Sequence, residues 1–355
     1  MQLVASRLFL LLALALPGAA LAEPCVDRSP LRDLGDAVRA AAEFPDERDL
    51  PGAVVLANFD GYGPMVEFQE RMLKQLSKKI DVILVVPPGS GFGEHFRSVA
   101  PDRKITVIET PLDTNWSRDF LPETVIGPDG KARLVQFKYF HPLAQDVGKA
   151  LAKTLGLPLV QSDIAVEGGN LLRDGENSRL FVTERVLKAN PKKTRLELTK
   201  SFEKDLGVRE VVWLPELPGE YTGHVDMYAT LADGNVAVVA RAKDPAKKKV
   251  LDAAAARFDS LGYRVKRIDV AGKGEGNFFP SYTNVLLAGK TAFVPSYDEI
   301  PDSNRKRVFD AADDKAVALW KSLGYTVKPI PAYYLLVQGG AVHCMTKTLP
   351  AEAVP

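Results

Sequence analysis

Cys344 closes the run Gly339-Gly340-Ala341-Val342-His343-Cys344 and is one of two cysteines in the chain, the other being Cys25. A lone cysteine in a glycine-flanked loop, in a chain that also pairs histidine with carboxylates, is a candidate nucleophile. The plainer readings are an inert buried thiol or a disulfide to Cys25. Four other segments gather reactive side chains beside glycines or small polar residues: Trp116-Ser117-Arg118-Asp119, Val166-Glu167-Gly168-Gly169-Asn170, Gly223-His224-Val225-Asp226 and Ser281-Tyr282-Thr283-Asn284.

Singly, each of these has a structural explanation. Arg118 and Asp119 can be a local ion pair, Glu167-Gly168-Gly169 a turn, and His224 with Asp226 a hydrogen-bonded pair on one face of an extended strand, where residues i and i+2 point the same way. Together they describe a site for a planar cation. Two carboxylates, Asp119 and Asp226, can each accept parallel N–H bonds from opposite edges of a guanidinium group, leaving its central carbon open to a thiolate. Cys344 then attacks that carbon, His224 gives a proton to the departing nitrogen and later activates water, and Glu167 orients His224. The two carboxylates are expected to raise the thiol pKa in the empty site, and an imidazolium or the bound guanidinium to lower it.

The elements that must position these residues repeat. Four helix-like stretches end in a leucine-glycine pair followed at once by an apolar strand, at Leu155-Gly156, Leu206-Gly207, Leu261-Gly262 and Leu323-Gly324. Glycine there suits the left-handed conformation that ends a helix. A fifth copy, Met65 to Lys79 leading into Ile80 to Val86, lacks the glycine. After each strand comes a polar loop and then a hairpin, expected over Asn170–Arg173 with Arg179–Thr183, Met227–Leu231 with Asn235–Ala240, and Asn284–Leu287 with Thr291–Pro295. A unit of this kind, recurring about every 50 to 60 residues, predicts a five-bladed, pseudo-symmetric α/β propeller of ββαβ-type modules, closed around an axis. The reactive loops then share one mouth.

Composition suits an ordinary globular α/β chain: 46 basic and 45 acidic residues nearly cancel over 355 positions, and the short runs Lys192-Lys193 and Lys247-Lys248-Lys249 make no stripe for nucleic acid. Residues 1–22 read as a signal peptide, with Arg7, the apolar run Leu8 to Leu16 and an Ala20-Leu21-Ala22 cleavage site. Residues 23–355 are then a single domain, secreted or periplasmic, with no membrane association after cleavage.

The motifs Trp116-x-Arg118-Asp119, Glu167-Gly168-Gly169-Asn170, Gly223-His224-x-Asp226 and Gly339-Gly340-x-x-His343-Cys344-x-Thr346 resemble those of the guanidino-group modifying superfamily. Within it the chain is similar to the branch holding agmatine deiminase and the Porphyromonas-type peptidylarginine deiminase. The resemblance implies the five-bladed α/β propeller (pentein) fold and a hydrolase needing no cofactor or metal. It implies Cys344 as nucleophile, His224 as acid/base, Asp119 and Asp226 as guanidinium ligands, and Asn284 as a pocket residue. Trp116, Arg118 and Gly340 are further expected to contact a small-molecule or peptide guanidinium substrate.

Two departures bear on that substrate. The arginine pair that holds a C-terminal carboxylate in the bacterial peptidylarginine deiminases has no counterpart in Phe137-Lys138-Tyr139-Phe140-His141-Pro142, except Lys138. Leu121 precedes Pro122, and Met227 follows Asp226, unlike the usual agmatine deiminase pattern. With export, these favour arginine in peptides or proteins, converted to citrulline and ammonia; agmatine, converted to N-carbamoylputrescine and ammonia, is the alternative. Trp116, Phe278, Phe279 and Tyr282 could wall an aliphatic stem. Rival readings are an amidinotransferase, a non-catalytic binding propeller, and a zinc hydrolase built on His224, Asp226, His343 and Cys344.

Overall fold

The first strand of the chain, β1 (Ala53–Ala57), is buried along its whole length and pairs in parallel with β2 (Asp81–Val86), which pairs in parallel with β3 (Ile105–Glu109). The computed structural model describes residues 43–272, 279–297 and 303–355, so the expected signal segment, Cys25 and Phe278 lie outside the described residues. Parallel neighbours need a crossover, supplied by helices α1 (Gly63–Gln75) and α2 (Phe92–Val99). Helix α1 buries Met65, Phe68, Met72 and Leu73, the i, i+3, i+7, i+8 stripe of an amphipathic helix.

Four three-stranded sheets follow, each built alike. In β4 (Glu123–Ile126), β5 (Ala132–Lys138) and β6 (Leu159–Ala165) the first pair is antiparallel and the second parallel, with α3 (Pro142–Leu155) as crossover. The same order holds for β7 (Leu172–Asp174), β8 (Arg179–Thr183), α4 (Arg195–Leu206) and β9 (Glu210–Leu214). It holds again for β10 (Ala229–Ala232), β11 (Val236–Arg241), α5 (Pro245–Ser260) and β12 (Arg264–Asp269). The last copy is β13 (Leu286–Ala288), β14 (Thr291–Ser296), α6 (Ser303–Ser322) and β15 (Thr326–Pro331). The first sheet gains its antiparallel member from the far end of the chain, where β16 (Lys347–Leu349) pairs with β1 through Val54 and Thr348.

Local chemistry explains these boundaries. Gly156, Gly207, Gly262 and Gly324 all take positive φ, between 68° and 91°, at the helix ends where the leucine-glycine pairs predicted it. Helix α1 ends without glycine, at Leu76 in extended backbone, as the fifth copy implied. Helix α4 begins with a capping box between Thr194 and Glu197, and α5 with Asp244 accepting the Lys247 N–H just before Pro245.

Three hairpin strands start later than their apolar pattern suggested. Gly168–Asn170 and Val225–Met227 are 3₁₀ turns, and Asn284 precedes β13. The hydrogen bonds of these residues account for the shift. Asn170 Oδ1 accepts the N–H groups of Thr183 and Val225, and Asn284 bonds to Ser281 and Cys344, so neither side chain stands on a sheet face. His224 and Asp226 therefore flank a turn instead of sharing the face of a strand.

Candidate active site

Each candidate residue sits in the turn just before the first strand of an antiparallel pair: Asp119 before β4, Glu167 before β7, His224 and Asp226 before β10, Asn284 before β13, and Cys344 before β16. The turns lean on one another. The helical turn Ser117–Phe120 packs on Gly168–Asn170, which packs on Val225–Met227. Backbone bonds fix the first of them to the cysteine segment, Arg118 N–H donating to the Cys344 carbonyl at 3.1 Å and Ser117 Oγ to the Met345 carbonyl at 2.6 Å.

Two glycines allow this approach. A Cβ on Gly169 would lie 2.6 Å from His224 Nδ1 and 3.0 Å from both Asp119 Oδ1 and Asp226 Oδ2, so three reactive side chains converge on the space that this glycine leaves open. A Cβ on Gly340 would strike the Trp116 ring at 2.6 Å and the Cys344 Cβ at 3.1 Å, which places the indole against the nucleophile's turn.

Around that space the contacts are specific. His224, about 1% exposed, holds Glu167 Oε2 at 2.8 Å through Nε2 and leaves Nδ1 3.6 Å from Asp119 Oδ1. Asp119 also accepts the Gly169 N–H at 3.0 Å. The Cys344 thiol is buried and free; it lies 3.1 Å from the donating Asn284 Nδ2 and 3.6 Å from Asp226 Oδ2. Asn284 Oδ1 accepts the Cys344 N–H at 3.2 Å, so one amide grips both ends of the residue. Among the described residues, His224 Nδ1 and Asp226 Oδ1 have no hydrogen-bond partner although buried.

The electrostatics follow from three carboxylates around one imidazole. Burial lifts the Asp119 pKa to about 7; His224 and the Gly169 N–H oppose the rise, while Glu167 and Asp226 add to it. For His224 burial works downward, but Asp119, Glu167 and Asp226 outweigh it and push its pKa up to about 10. Glu167 is held below its ordinary value despite burial, because its bond to His224 favours the carboxylate. Burial, then Asp226 and Asp119, drive the Cys344 thiol well above the usual range. A buried thiol among anions and an imidazolium beside carboxylates describe a site short of a cation.

Other expected contacts fall elsewhere. Arg118 is fully buried, and its Nη1 pairs with Glu47, on the inner side of the turn that carries Asp119. Phe279 and Tyr282 belong to the apolar core, with the Tyr282 hydroxyl donating to Asp313 at 2.6 Å. Lys138 donates to the Asp163 carbonyl at 2.8 Å. Among the described residues no group of three or more His, Cys, Asp or Glu side chains is arranged to hold a metal ion.

The structure also brings in residues that the sequence motifs left without a role. His343 Nδ1 lies 2.7 Å from Asp226 Oδ2, and its Nε2 lies 3.2 Å from Glu47 Oε2. Behind it a buried ion cluster joins Glu47 to Arg118 and Arg173, Arg173 to Glu123 at 3.0 Å, and Glu123 to Lys347. The one signal for these was a charged residue inside short buried strands, at Glu123, Arg173 and Lys347. At the rim, Tyr139 feels the charges of Asp119 and Glu167, its neighbour Phe140 is 71% exposed, and Tyr221, 72% exposed, stands against Gly339.

A sequence model described as Porphyromonas-type peptidyl-arginine deiminase matches residues 58–350. A protein of Photobacterium profundum named "Putative agmatine deiminase" is 27% identical, over 78% of this chain and 85% of its own length. The fold is similar to that of an agmatine deiminase of Enterococcus faecalis, at TM-score 0.72 and 19% identity, over 93% of this chain and 99% of that one. It is equally similar to a C. jejuni agmatine deiminase solved with substrate bound, at TM-score 0.72 and 18% identity, over 87% and 96% of the two chains.

Proposed function

The chain belongs to the Porphyromonas-type peptidyl-arginine deiminase family and is thus a guanidino-group deiminase, and from that premise we propose that it hydrolyses its substrate through a covalent intermediate on Cys344. The observation that carries this is the convergence of His224 Nδ1, Asp119 Oδ1 and Asp226 Oδ2 within 3.0 Å of one point above Gly169, next to a free buried thiol. A guanidinium bound there supplies the missing cation.

Its plane is fixed by N–H bonds to the Asp119 and Asp226 carboxylates that face the space over Gly169. The positive charge stabilises the Cys344 thiolate, which attacks the guanidinium carbon to form a C–S bond. The His224 imidazolium passes a proton to one terminal nitrogen, its C–N bond breaks, and ammonia leaves an S-alkylthiouronium. His224, now neutral and held by Glu167, takes a proton from water as the oxygen adds to that carbon. The C–S bond then breaks as the hydroxyl gives up its proton to solvent and becomes the carbonyl, releasing a ureido product and the thiolate.

Agmatine is the substrate we favour. The reacting groups are buried, with Cys344 2%, His224 1% and Asp226 3% exposed, which suits a slender stem ending in a guanidinium. The Photobacterium profundum relative and the Enterococcus faecalis and C. jejuni structures are named for the same substrate. A second reading, arginine within a peptide, draws on the exposed rim aromatics Phe140 and Tyr221, against which a longer ligand could lie.

The remaining features of the reading are a closed five-bladed propeller with its turns at one mouth, a single domain after position 22, and export directed by residues 1–22. Offering agmatine, free arginine and peptides with internal or C-terminal arginine, with ureido product and ammonia as readouts, tests the substrate. Turnover of agmatine far above the peptides is expected; turnover of peptides alone would select the second reading, and activity surviving in Cys344→Ala would remove the nucleophile.

A further inference from the structure

Four of the groups that meet the substrate or thiol approach from their own turns, but the Asp226 carboxylate is also held from behind. Its Oδ2 lies 2.7 Å from His343 Nδ1 and its Oδ1 has no partner among the described residues. The other ring nitrogen of His343, Nε2, lies 3.2 Å from Glu47 Oε2. Glu47 precedes β1, far from the motifs in sequence, and its Oε1 takes Arg118 and Arg173.

An imidazole with one N–H can donate to only one of two flanking carboxylates. Were that proton given to Glu47, Nδ1 would turn a lone pair toward the Asp226 oxygen. With both carboxylates ionised, both contacts are hydrogen bonds only when both ring nitrogens carry protons, and then a positive charge stands beside Asp226, whose Oδ2 is 3.6 Å from the thiol. Glu47 is suited to hold it there. Burial would raise its pKa, but Arg118, Arg173 and His343 keep it well below the usual carboxylate range, so it stays an anion.

We propose that Glu47 is a positioning residue for the reaction: acting through His343, it holds Asp226 Oδ2, the oxygen that faces the space over Gly169 and the thiol, in place to meet the guanidinium. This rests on the deiminase mechanism above. The competing explanation is that Glu47 only neutralises Arg118 and Arg173, a role in stability that does not pass through His343.

A double-mutant cycle of Glu47→Gln and His343→Asn separates the two. One readout is kcat/KM with agmatine; the other is the pH profile of Cys344 alkylation by iodoacetamide, followed by mass, which needs no substrate. The charged groups facing the thiol are Asp226 and Asp119, and those facing His343 are Asp226 and Glu47. Glu47→Gln is expected to lower kcat/KM on the order of 10- to 100-fold in the wild-type background and less than about 3-fold once His343 is Asn. It should also move the alkylation profile to higher pH, since a cation near the thiol is lost. Equal losses in both backgrounds, or an unmoved profile, would overturn the proposal. If Glu47→Gln does not fold, His343→Asn alone, which leaves Glu47 on its arginines, must move the profile the same way, and no movement overturns it. A wild-type protein that turns over no guanidinium would instead sink the functional reading, while the alkylation comparison would still decide the role of Glu47.

Discussion

Two partly exposed carboxylates in this protein are pushed in opposite directions. Asp119, in front of the thiol, is raised to about 7, whereas Glu47, behind His343, is held well below the ordinary range. Both are largely withdrawn from water, so desolvation raises both, and cations decide the difference. Glu47 shares its cluster with Arg118, Arg173 and Lys347 against one further carboxylate, Glu123. Asp119 faces Glu167 and Asp226 with only His224 between them. The rear cluster already sets cations against its carboxylates, although Arg118 Nε and Nη2 and Arg173 Nε have no hydrogen-bond partner among the described residues, whereas in the reading proposed above the front cluster gains its cation from the ligand. Stability is therefore invested behind and reactivity in front, an arrangement often found where function opposes folding.

The largest test of that division is at the thiol. Cys344→Ala should lower turnover on the order of 10⁴-fold or more, because the intermediate proposed above forms on this thiolate, yet leave guanidinium binding and melting temperature nearly intact. Binding lost along with turnover would mean that the thiol builds the site instead of reacting in it.

Next come paired substitutions that should act in opposite senses. Asp119→Asn should lower kcat/KM on the order of 10²- to 10³-fold and raise the melting temperature, since it removes a charge that the empty site disfavours. Lys347→Met, in the rear, should cost on the order of 1–3 kcal/mol of stability by leaving Glu123 Oε1 without its donor while Arg173 still holds the other oxygen, with little change in KM. The Lys347 pKa is about 8, lowered mainly by burial and by neighbouring Arg118 and Arg173 against the pull of Glu123. Because its pKa is lowered from the ordinary 10.5, Lys347 gives up its proton more readily folded than unfolded, so this group should add stability as pH rises from about 8 toward 10.5, visible as a rising urea midpoint. A drop of several degrees in Asp119→Asn would erase the contrast between the clusters.

The two regions also differ in how far the sequence exposed them. Asp119, Glu167, His224, Asp226 and Cys344 stand in short motif runs, all but that of Asp119 containing a glycine or a glycine pair, because close approach of turns demands small residues nearby. The repeat was legible for the same reason, through glycines ending helices. Glu47, Glu123, Arg173 and Lys347 lie far apart in the sequence, in the segment before β1 and in β4, β7 and β16. Only pairing across the molecule, above all β16 returning to β1, brings them together. Spacing was also misleading at His224 and Asp226, where a turn, not a strand, aims both side chains at the space over Gly169.

Gly169 offers a smaller and more local test. Its Cβ would intrude between His224, Asp119 and Asp226, so Gly169→Ala should reduce kcat/KM on the order of 10²-fold by occupying the guanidinium's place. Steady-state kinetics with agmatine would show it mainly in KM. An unchanged KM would place the cation elsewhere.

The smallest expected signal bears most directly on why the front carboxylate is raised. With its pKa at about 7 in the empty site, Asp119 is partly protonated at neutral pH. A guanidinium requires the carboxylate, so binding must expel the proton; the sign is release, not uptake, and roughly half a proton should leave per ligand at pH 7. Calorimetry in buffers of different ionisation enthalpy measures that number, best in Cys344→Ala, where the thiol can neither react nor ionise. His224, at about 10, stays protonated and contributes little. As pH falls below 7 the same equilibrium should weaken binding, by about tenfold between pH 8 and pH 6. Adding Asp119→Asn should abolish both the release and the pH dependence. Release that persists in the double variant would assign the proton to another group and leave Asp119 without the role that its carboxylate neighbours suggest.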